Sequence, residues 1–179
     1  MLELDKAVLL VIDVQEKLFR AISEKEKILD NLNRLIKGIQ VLEVPVIVTE
    51  QYPKGLGPTV KEVADLLTGV KPIPKTSFSC CGDEAFLEEF EGLDRWQVLL
   101  AGIESHVCVY QTAADLIDAG YQVYAVGDAI GSRTEENREM GLKMMEGLGV
   151  KPTSTEAVLF ELLKVAEGEK FKAISKIVR

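Results

Sequence analysis

The sequence has a single histidine and only three cysteines in 179 residues. A zinc site built from several histidine ligands cannot be assembled from one imidazole, and a Ser-His-Asp site would have to use His106 as its base. The cysteines are odd in number, and Cys80 and Cys81 are adjacent, which is typical of reduced thiols rather than of a disulfide framework. The composition therefore excludes a histidine-rich metal centre and argues against a disulfide-stabilised domain.

Long hydrophobic runs and clusters of basic charge are also missing. No apolar run approaches the roughly 20 residues that a membrane helix needs. The 21 basic residues are scattered among 29 acidic ones, for a formal net charge of −8, which argues against nucleic acid or an anionic membrane as the main partner. The charged N-terminus, residues 1–6, lacks the basic segment and cleavage site of an export signal, so we expect a cytoplasmic protein.

Short apolar segments alternate with segments of helical periodicity along the chain. The predicted strands are 8–13, 44–50, 70–75, 96–103, 121–126 and 151–154, and the predicted helices between them are 23–42, 59–67, 83–90, 107–119 and 134–148. Continuous apolar strands with helical crossovers predict a mostly parallel six-stranded sheet covered on both faces, an α/β fold of three layers, α/β/α. Ser23 and Glu26 have the spacing of a capping box. The length and the lack of a linker predict one domain over residues 1–179.

Cys108 follows the apolar strand 96–103 and opens the predicted helix 107–119. Free backbone N–H groups and the positive end of the helix dipole favour a thiolate at that place, and the thiolate is the nucleophilic form of cysteine. Taken alone, the position is equally compatible with a small buried hydrophobic residue beneath a helix.

Asp13 and Lys75 end two other predicted strands. Because the carboxyl ends of parallel strands meet at one edge of a sheet, we expect both side chains near Cys108. A carboxylate directly after five apolar strand residues needs a partner or a function, and Lys75 is its natural counter-charge. The alternatives are that Asp13 caps a helix or forms only a structural ion pair.

Five residues are candidates for pocket walls because they lie just past the strand ends or helix starts that flank Cys108: Gln15, Phe19, Tyr52, Phe78 and His106. Phe19 and Phe78 are equally compatible with the core, whereas Tyr52 lies on a proline-flanked loop and is better placed to be exposed. Gln15 can hydrogen-bond in the site or simply begin a helix. If the helix has begun at His106, its side chain lies about 200° around the axis from Cys108, which argues against a Cys-His dyad.

Three motifs, each at a strand end, together carry a resemblance to a known family. They are Val-Ile-Asp-Val-Gln at 11–15, Lys-Thr-Ser-Phe at 75–78 and Gly-Ile-Glu-Ser-His-Val-Cys-Val at 102–109. In this order the chain resembles the isochorismatase-like cysteine hydrolases over nearly its full length. The resemblance implies a Rossmann-like α/β/α fold, a catalytic triad of Cys108, Asp13 and Lys75, and a cis peptide bond between Ile103 and Glu104.

The resemblance also implies a mechanism and a substrate class. The backbone N–H groups of Glu104 and Cys108 would form an oxyanion hole, and Asp13 would carry the thiol proton while a thioester forms. Nicotinamidases of the family carry an Asp and two His metal ligands after the second strand, where this chain has Glu-Gln-Tyr-Pro at 50–53, so we expect neither a metal nor another cofactor. True isochorismate hydrolases lack the cysteine, so Cys108 favours a small amide, imide or ureide and the metal-free branch.

Two other functions stay open at this point. A non-catalytic member would bind a ligand in the same pocket or a partner protein on its surface, with the triad persisting as packing. A redox or peroxide-sensing protein would pair Cys108 with a resolving cysteine, for which Cys80 and Cys81, otherwise bystanders in a loop, are candidates. Apolar positions in the C-terminal segment, with the family's habit of assembling, predict a homo-oligomer, a dimer or larger.

Overall fold

The computed structural model describes residues 1–179 and contains six strands and nine helices. The strands are β1 (Ala7–Ile12), β2 (Val46–Gln51), β3 (Ile73–Lys75), β4 (Gln97–Ile103), β5 (Gln122–Gly131) and β6 (Lys151–Thr153). The helices are α1 (Glu16–Phe19), α2 (Lys25–Val41), α3 (Pro53–Leu56), α4 (Lys61–Ala64), α5 (Glu84–Gly92), α6 (Tyr110–Asp118), α7 (Glu135–Gly147), α8 (Thr155–Leu163) and α9 (Gly168–Ile177). A 3₁₀ turn covers Cys80–Gly82, and a π-helical turn covers Ser105–Val109. No helix combines the length and the apolar composition needed to cross a membrane.

The strands form one sheet in the order β3-β2-β1-β4-β5-β6, and every neighbouring pair is parallel. The sheet predicted as mostly parallel is therefore wholly parallel. The chain runs outward from β1 to β3 and then returns to β4 on the other side of β1, so the order of the strands reverses between β1 and β4. Open α/β sheets form their ligand crevices at such a reversal, beyond the carboxyl ends of the strands. Asp13 follows β1 there, and Cys108 follows β4.

Successive residues of β1 alternate between two hydrophobic cores, one on each face of the sheet. Leu9 and Val11 belong to the core that α2, α8 and α9 cover. Leu10 and Ile12 belong to the core that α5, α6 and α7 cover, and Cys108 lies in this second core. All six residues of β1 are buried, as expected for a parallel strand enclosed by helices. The predicted three-layer α/β/α fold is confirmed.

Two helix boundaries differ from the predictions because side chains and backbone make contacts far along the chain. The prediction of a capping box at Ser23 and Glu26 is wrong. The helix α2 begins at Lys25, after Glu24, which has a φ of +52° and forms no side-chain cap. The Ser23 N–H donates instead to the Ser132 carbonyl. The helix predicted at 59–67 is reduced to α4, because Thr59 forms an antiparallel bridge with Gln15 instead.

The backbone of β4 approaches β1 most closely at Gly102. This residue has a φ of +118°, and a Cβ there would lie 2.2 Å from the Ile12 carbonyl oxygen. The register between β4 and β5 also shifts between Leu100 and Gly102. Only glycine fits this position, one residue before β4 ends at Ile103.

Candidate active site

Asp13 and Lys75 form a buried ion pair at the carboxyl edge of the sheet. Lys75 Nζ lies 2.8 Å from Asp13 Oδ2, and neither side chain is exposed to solvent. Asp13 follows β1 and Lys75 ends β3, so β2 lies between them and supplies contacts to both. A buried charged pair is tolerated only if its remaining polar atoms are also hydrogen-bonded.

The ammonium group of Lys75 donates its hydrogen bonds to neutral oxygens. They are Gln51 Oε1 at 2.7 Å and the carbonyls of Ser77 and Phe78 at 3.1 and 2.9 Å. Three acceptors match the three protons of a lysine ammonium group. The contact with Asp13 Oδ2 is thus an ion pair, and no nitrogen or oxygen donor of the chain makes a hydrogen bond to that oxygen. Oδ2 keeps the capacity to accept a proton.

The other carboxylate oxygen of Asp13 is held by β2. Thr49 Oγ1 donates a hydrogen bond of 2.8 Å to Asp13 Oδ1, and the Asp13 N–H donates to the Thr49 carbonyl at 3.2 Å. Asp13 has a φ of +52°, in the left-handed region that costs a non-glycine residue about 1 kcal/mol or more. Backbone strain of this kind clusters at functional sites.

Cys108 lies in the π-helical turn Ser105–Val109, between β4 and α6, and is 6% exposed. The N–H groups of Val107 and Val109 both donate to the Glu104 carbonyl, at 3.0 and 3.3 Å. The helix predicted at 107–119 is therefore divided into a wider first turn and a regular α6. Such π-helical turns are frequent at functional sites because they reposition side chains.

Burial raises the pKa of the Cys108 thiol above its ordinary value, and the negative charge of Asp13 raises it further. Lys75 opposes this effect, whereas Asp13 favours the protonated form of the thiol. The prediction that the helix N-terminus favours a resting thiolate is wrong, because Cys108 precedes α6 in a buried turn beside a carboxylate. The resting group is a thiol, and its attack on a substrate requires a base.

Glu104 links β4 to the turn that contains Cys108. The Ile103–Glu104 peptide bond is cis, and the Glu104 N–H donates no hydrogen bond within the chain. Glu104 Oε2 accepts hydrogen bonds from the Arg133 N–H at 2.9 Å and from Arg133 Nε at 3.1 Å. The Glu104 side chain is thus fastened to the segment that follows β5.

Two buried serines attach the same turn to β5 and α7. The Ser105 N–H donates to Ser132 Oγ at 3.1 Å, and the two hydroxyl oxygens are 2.9 Å apart. Ser105 Oγ also lies 3.1 Å from each of the Asn137 and Arg138 carbonyls of α7. His106 Nδ1 is 3.1 Å from Ser132 Oγ, so the one imidazole of the chain contacts this serine pair. Ser132, Asn137 and Arg138 are all distant from Cys108 in sequence, and sequence reasoning missed Ser132.

Two of the residues predicted as pocket walls have structural roles instead. Gln15 is fully buried; its Nε2 donates to the carbonyls of Gln51 and Gly57, at 3.0 and 2.7 Å, and its Oε1 accepts from the Gln51 N–H at 2.8 Å. Gln15 thus holds Gln51, the residue whose side chain contacts Lys75. Phe19 packs in the core under α2, α8 and α9, on the face of the sheet opposite Cys108. It lines a cleft of about 480 Å³, but Cys108 does not line that cleft, so the structure does not bring Phe19 to the thiol.

The other three candidates are at least partly accessible. Tyr52 and Phe78 are 56% and 54% exposed, and His106 is half-buried. Tyr52 lines a cleft of about 300 Å³ that reaches Lys75. Cys108 is only 6% exposed, and Asp13 is fully buried. The thiol therefore lies in a site that is nearly closed in the isolated chain.

Comparisons with known proteins place both the sequence and the fold of this chain in one family. Residues 7–157 match the family model of the isochorismatase domain. The chain is 40% identical over 172 residues to isochorismatase domain-containing protein 2 of Danio rerio, covering 96% of this chain and 86% of the relative. The structure of a MAR1 ribonuclease from Caenorhabditis elegans superposes with a TM-score of 0.93 at 36% identity, covering 99% and 91% of the two chains. The YcaC gene product of Escherichia coli, described as an octameric hydrolase of unknown specificity, shares the fold at a TM-score of 0.93 and 23% identity, covering 98% and 88%.

Proposed function

Because this chain belongs to the isochorismatase domain family, we propose that it is a cysteine-dependent hydrolase of a C–N bond in a small amide, imide or ureide. One observation carries the proposal: a buried Asp13–Lys75 pair acts on the Cys108 thiol, and Asp13 Oδ2 lacks any nitrogen or oxygen donor. A carboxylate with an unused oxygen beside a protonated thiol has the arrangement of a general base and its nucleophile.

In the first half of the reaction, Asp13 Oδ2 accepts the thiol proton while the Cys108 sulfur bonds to the substrate carbonyl carbon. The N–H groups of Glu104 and Cys108 donate to the carbonyl oxygen as it gains negative charge. The C–N bond then breaks, and Asp13 returns the proton to the departing nitrogen. The products of this half are an amine and an acyl thioester on Cys108. Lys75 offsets the negative charge that the cluster carries while sulfur is deprotonated.

In the second half, water hydrolyses the thioester. Asp13 accepts a proton from the water, the hydroxyl oxygen bonds to the acyl carbon, and the C–S bond breaks. The sulfur then recovers the proton, and a carboxylic acid leaves. One amide and one water are thus converted to one acid and one amine, with no change of oxidation state and no cofactor in any step.

Two side chains at the end of β2 support metal-free chemistry at this site. Glu50 Oε1 accepts hydrogen bonds from the N–H and the hydroxyl of Thr59, at 2.7 and 2.8 Å. Gln51 contacts Lys75 through Oε1 and donates to the Thr76 carbonyl at 2.8 Å. Both side chains are engaged in the fold, so we propose no metal-ligand role for either.

The charge balance supports a small molecule rather than RNA as the substrate. The C. elegans relative is described as a ribonuclease. The present chain has 29 acidic and 21 basic residues, and a polyanion would have to bind against that net charge. We therefore do not extend RNA cleavage to it, and an RNA arm belongs in any substrate screen.

We also propose that residues 1–179 form one domain that assembles as a homo-oligomer. Both cores share a single sheet, which supports one domain. Met140, Met144 and Leu148 are exposed at four-residue spacing along α7 and just after it, which is the pattern of a surface that a partner covers. The YcaC gene product, of the same fold, is described as octameric.

A substrate screen with matched variants tests the hydrolase. Small amides, imides and ureides are incubated with the wild type, Cys108→Ala and Cys81→Ala, and products and acyl-enzyme are followed by mass spectrometry. We expect turnover and an adduct on Cys108 in the wild type and in Cys81→Ala, and neither in Cys108→Ala. Turnover that survives in Cys108→Ala, or a wild type whose Cys108 reacts with iodoacetamide no faster than in Asp13→Asn, contradicts the proposal.

The nearly closed site is the observation that favours the second candidate, a non-catalytic member that binds a partner protein on its surface. Such a member retains the Asp13–Lys75 pair as packing, and its Cys108 gains no reactivity from Asp13. The alkylation comparison between the wild type and Asp13→Asn separates the two functions, because only the hydrolase needs Asp13 to take the thiol proton.

A further inference from the structure

Cys80 is a second buried thiol beside the site, and the proposed mechanism does not use it. It begins the 3₁₀ turn after β3, has no exposed surface, and its N–H donates to Thr112 Oγ1 at 3.0 Å. Burial raises the pKa of the Cys80 thiol to about 12. The group is therefore a neutral S–H donor at physiological pH, which is the opposite of what a reactive or resolving thiol requires.

Thr49 connects this thiol to Asp13. The Cys80 sulfur lies 3.8 Å from Thr49 Oγ1, and Thr49 Oγ1 lies 2.8 Å from Asp13 Oδ1. An ionised carboxylate can only accept, so the single hydroxyl proton of Thr49 is directed to Asp13. The hydroxyl oxygen then accepts from the Cys80 S–H. The three groups form a chain of hydrogen bonds with one direction.

The position of Thr49 in the sheet makes this chain rigid. Thr49 pairs with Ile12 of β1 and with Ile73 of β3, the strands that lead to the two charged residues. Its backbone also accepts the Asp13 N–H. Because β2 is held on both sides by β1 and β3, the Thr49 hydroxyl has a fixed position at the carboxyl edge of the sheet.

We propose that Thr49 is a positioning residue of the active site, which holds Asp13 by Oδ1 so that Oδ2 stays directed to Lys75 and Cys108, and that Cys80 orients the Thr49 hydroxyl. The inference rests on the proposed function, in which Asp13 is the base. Without the hydroxyl, the carboxylate is free to rotate about its Cβ–Cγ bond. It also loses its side-chain hydrogen bond to β2.

The charged and titratable groups that act on this cluster are Asp13, Lys75, Cys80 and Cys108. Burial raises the pKa of both thiols, so neither ionises in the resting protein near neutral pH. The loss of the Thr49 hydroxyl is therefore visible as a lower rate of Cys108 alkylation, because the carboxylate is no longer held by Oδ1.

The test measures the rate of Cys108 alkylation by iodoacetamide between pH 5 and 9, with peptide mass spectrometry as the readout and no substrate. Thr49→Val keeps the shape and removes the hydroxyl; we expect an alkylation rate about 10-fold lower at pH 7. Thr49→Ser restores most of the rate, because it restores the donor. Cys80→Ala lowers the rate by a smaller factor.

Thr155→Val is the matched control, because Thr155 is also buried and donates to an aspartate, Asp128 Oδ1 at 3.0 Å, outside this cluster. Its profile should equal that of the wild type. If folded Thr49→Val has the wild-type profile while Asp13→Asn slows alkylation, the positioning role is refuted and the hydrolase survives. If Asp13→Asn has no effect, both fail. If Thr49→Val does not fold, Thr49→Ala and Cys80→Ala decide, and wild-type profiles in both refute the role.

Discussion

Gly141 of α7 lies directly against Ser105, the first residue of the turn that contains Cys108. A Cβ on Gly141 would be 2.5 Å from the Ser105 carbonyl carbon and 2.6 Å from the His106 nitrogen. Backbone atoms cannot give way as a flexible side chain can. The close packing of α7 on the nucleophile turn therefore depends on the absence of one methyl group.

Gly141→Ala should displace the turn and slow every reaction of Cys108. We expect alkylation at least about 10-fold slower and a loss of about 1–3 kcal/mol of stability, the usual cost of overpacking. Gly147→Ala is the control on the same helix, since a Cβ there meets nothing within 4 Å and alanine has the higher helix propensity. Equal alkylation rates in the two variants would show that the turn tolerates the displacement.

Gly102→Ala should be among the most destabilising single substitutions in the sheet. The residue combines a φ of +118° with a Cβ position 2.2 Å from the Ile12 carbonyl oxygen, so strain and a backbone clash add. We expect a loss above about 3 kcal/mol in urea denaturation. Gly120→Ala separates the two causes: its φ is +88° but nothing lies within 4 Å, and it should lose only about 1–2 kcal/mol.

The parts of the site that sequence reasoning found are those with a local signal. Asp13 follows β1, Lys75 ends β3, and Cys108 lies in the turn after β4. Because parallel strands end at one edge of a sheet, the sequence predicts that these side chains lie near one another. Thr49 and Ser132 had no such signal, because their partners Asp13 and Ser105 are 36 and 27 residues away. Nothing in a strand sequence tells a packed threonine from one that holds a carboxylate.

The end of β5 shows the same limit for the fold. The strand was predicted to stop at Val126, where polar residues interrupt the apolar run, but it continues to Gly131. The extension pairs with β4 after the shift in register, Gly102 with Ile130 and Ile103 with Gly131. The Arg138 guanidinium group of α7 also donates to the carbonyls of Gly127 and Ile130. These contacts with distant residues have no signal in the local sequence.

Substitutions in the Asp13–Lys75 pair should affect stability and activity differently. Lys75→Met leaves the Asp13 charge buried without a partner, so we expect a loss of about 3–5 kcal/mol. Adding Asp13→Asn removes that charge and should recover a large part of the stability. The double variant should nevertheless have at least about 1,000-fold lower turnover than the wild type, because the base is gone. Guanidinium denaturation and the substrate assay on the same samples provide the comparison, and recovery of both properties together would contradict a catalytic role for Asp13.

The buried thiols should make the protein lose stability in alkali. The pKa of Cys80 is raised to about 12 and that of Cys81 to about 11, in both cases mainly by burial, and that of Cys108 is raised as well. A group whose pKa is higher in the folded state binds more protons folded than unfolded, so its contribution is complete below the unfolded pKa near 9 and declines above it. For Cys80 the decline is up to about 1 kcal/mol per pH unit between pH 9 and 11. Cys80→Ala should therefore be less stable than the wild type at pH 7 but lose stability more gradually as the pH rises, and parallel curves of unfolding free energy against pH would contradict the burial of a protonated thiol at this position.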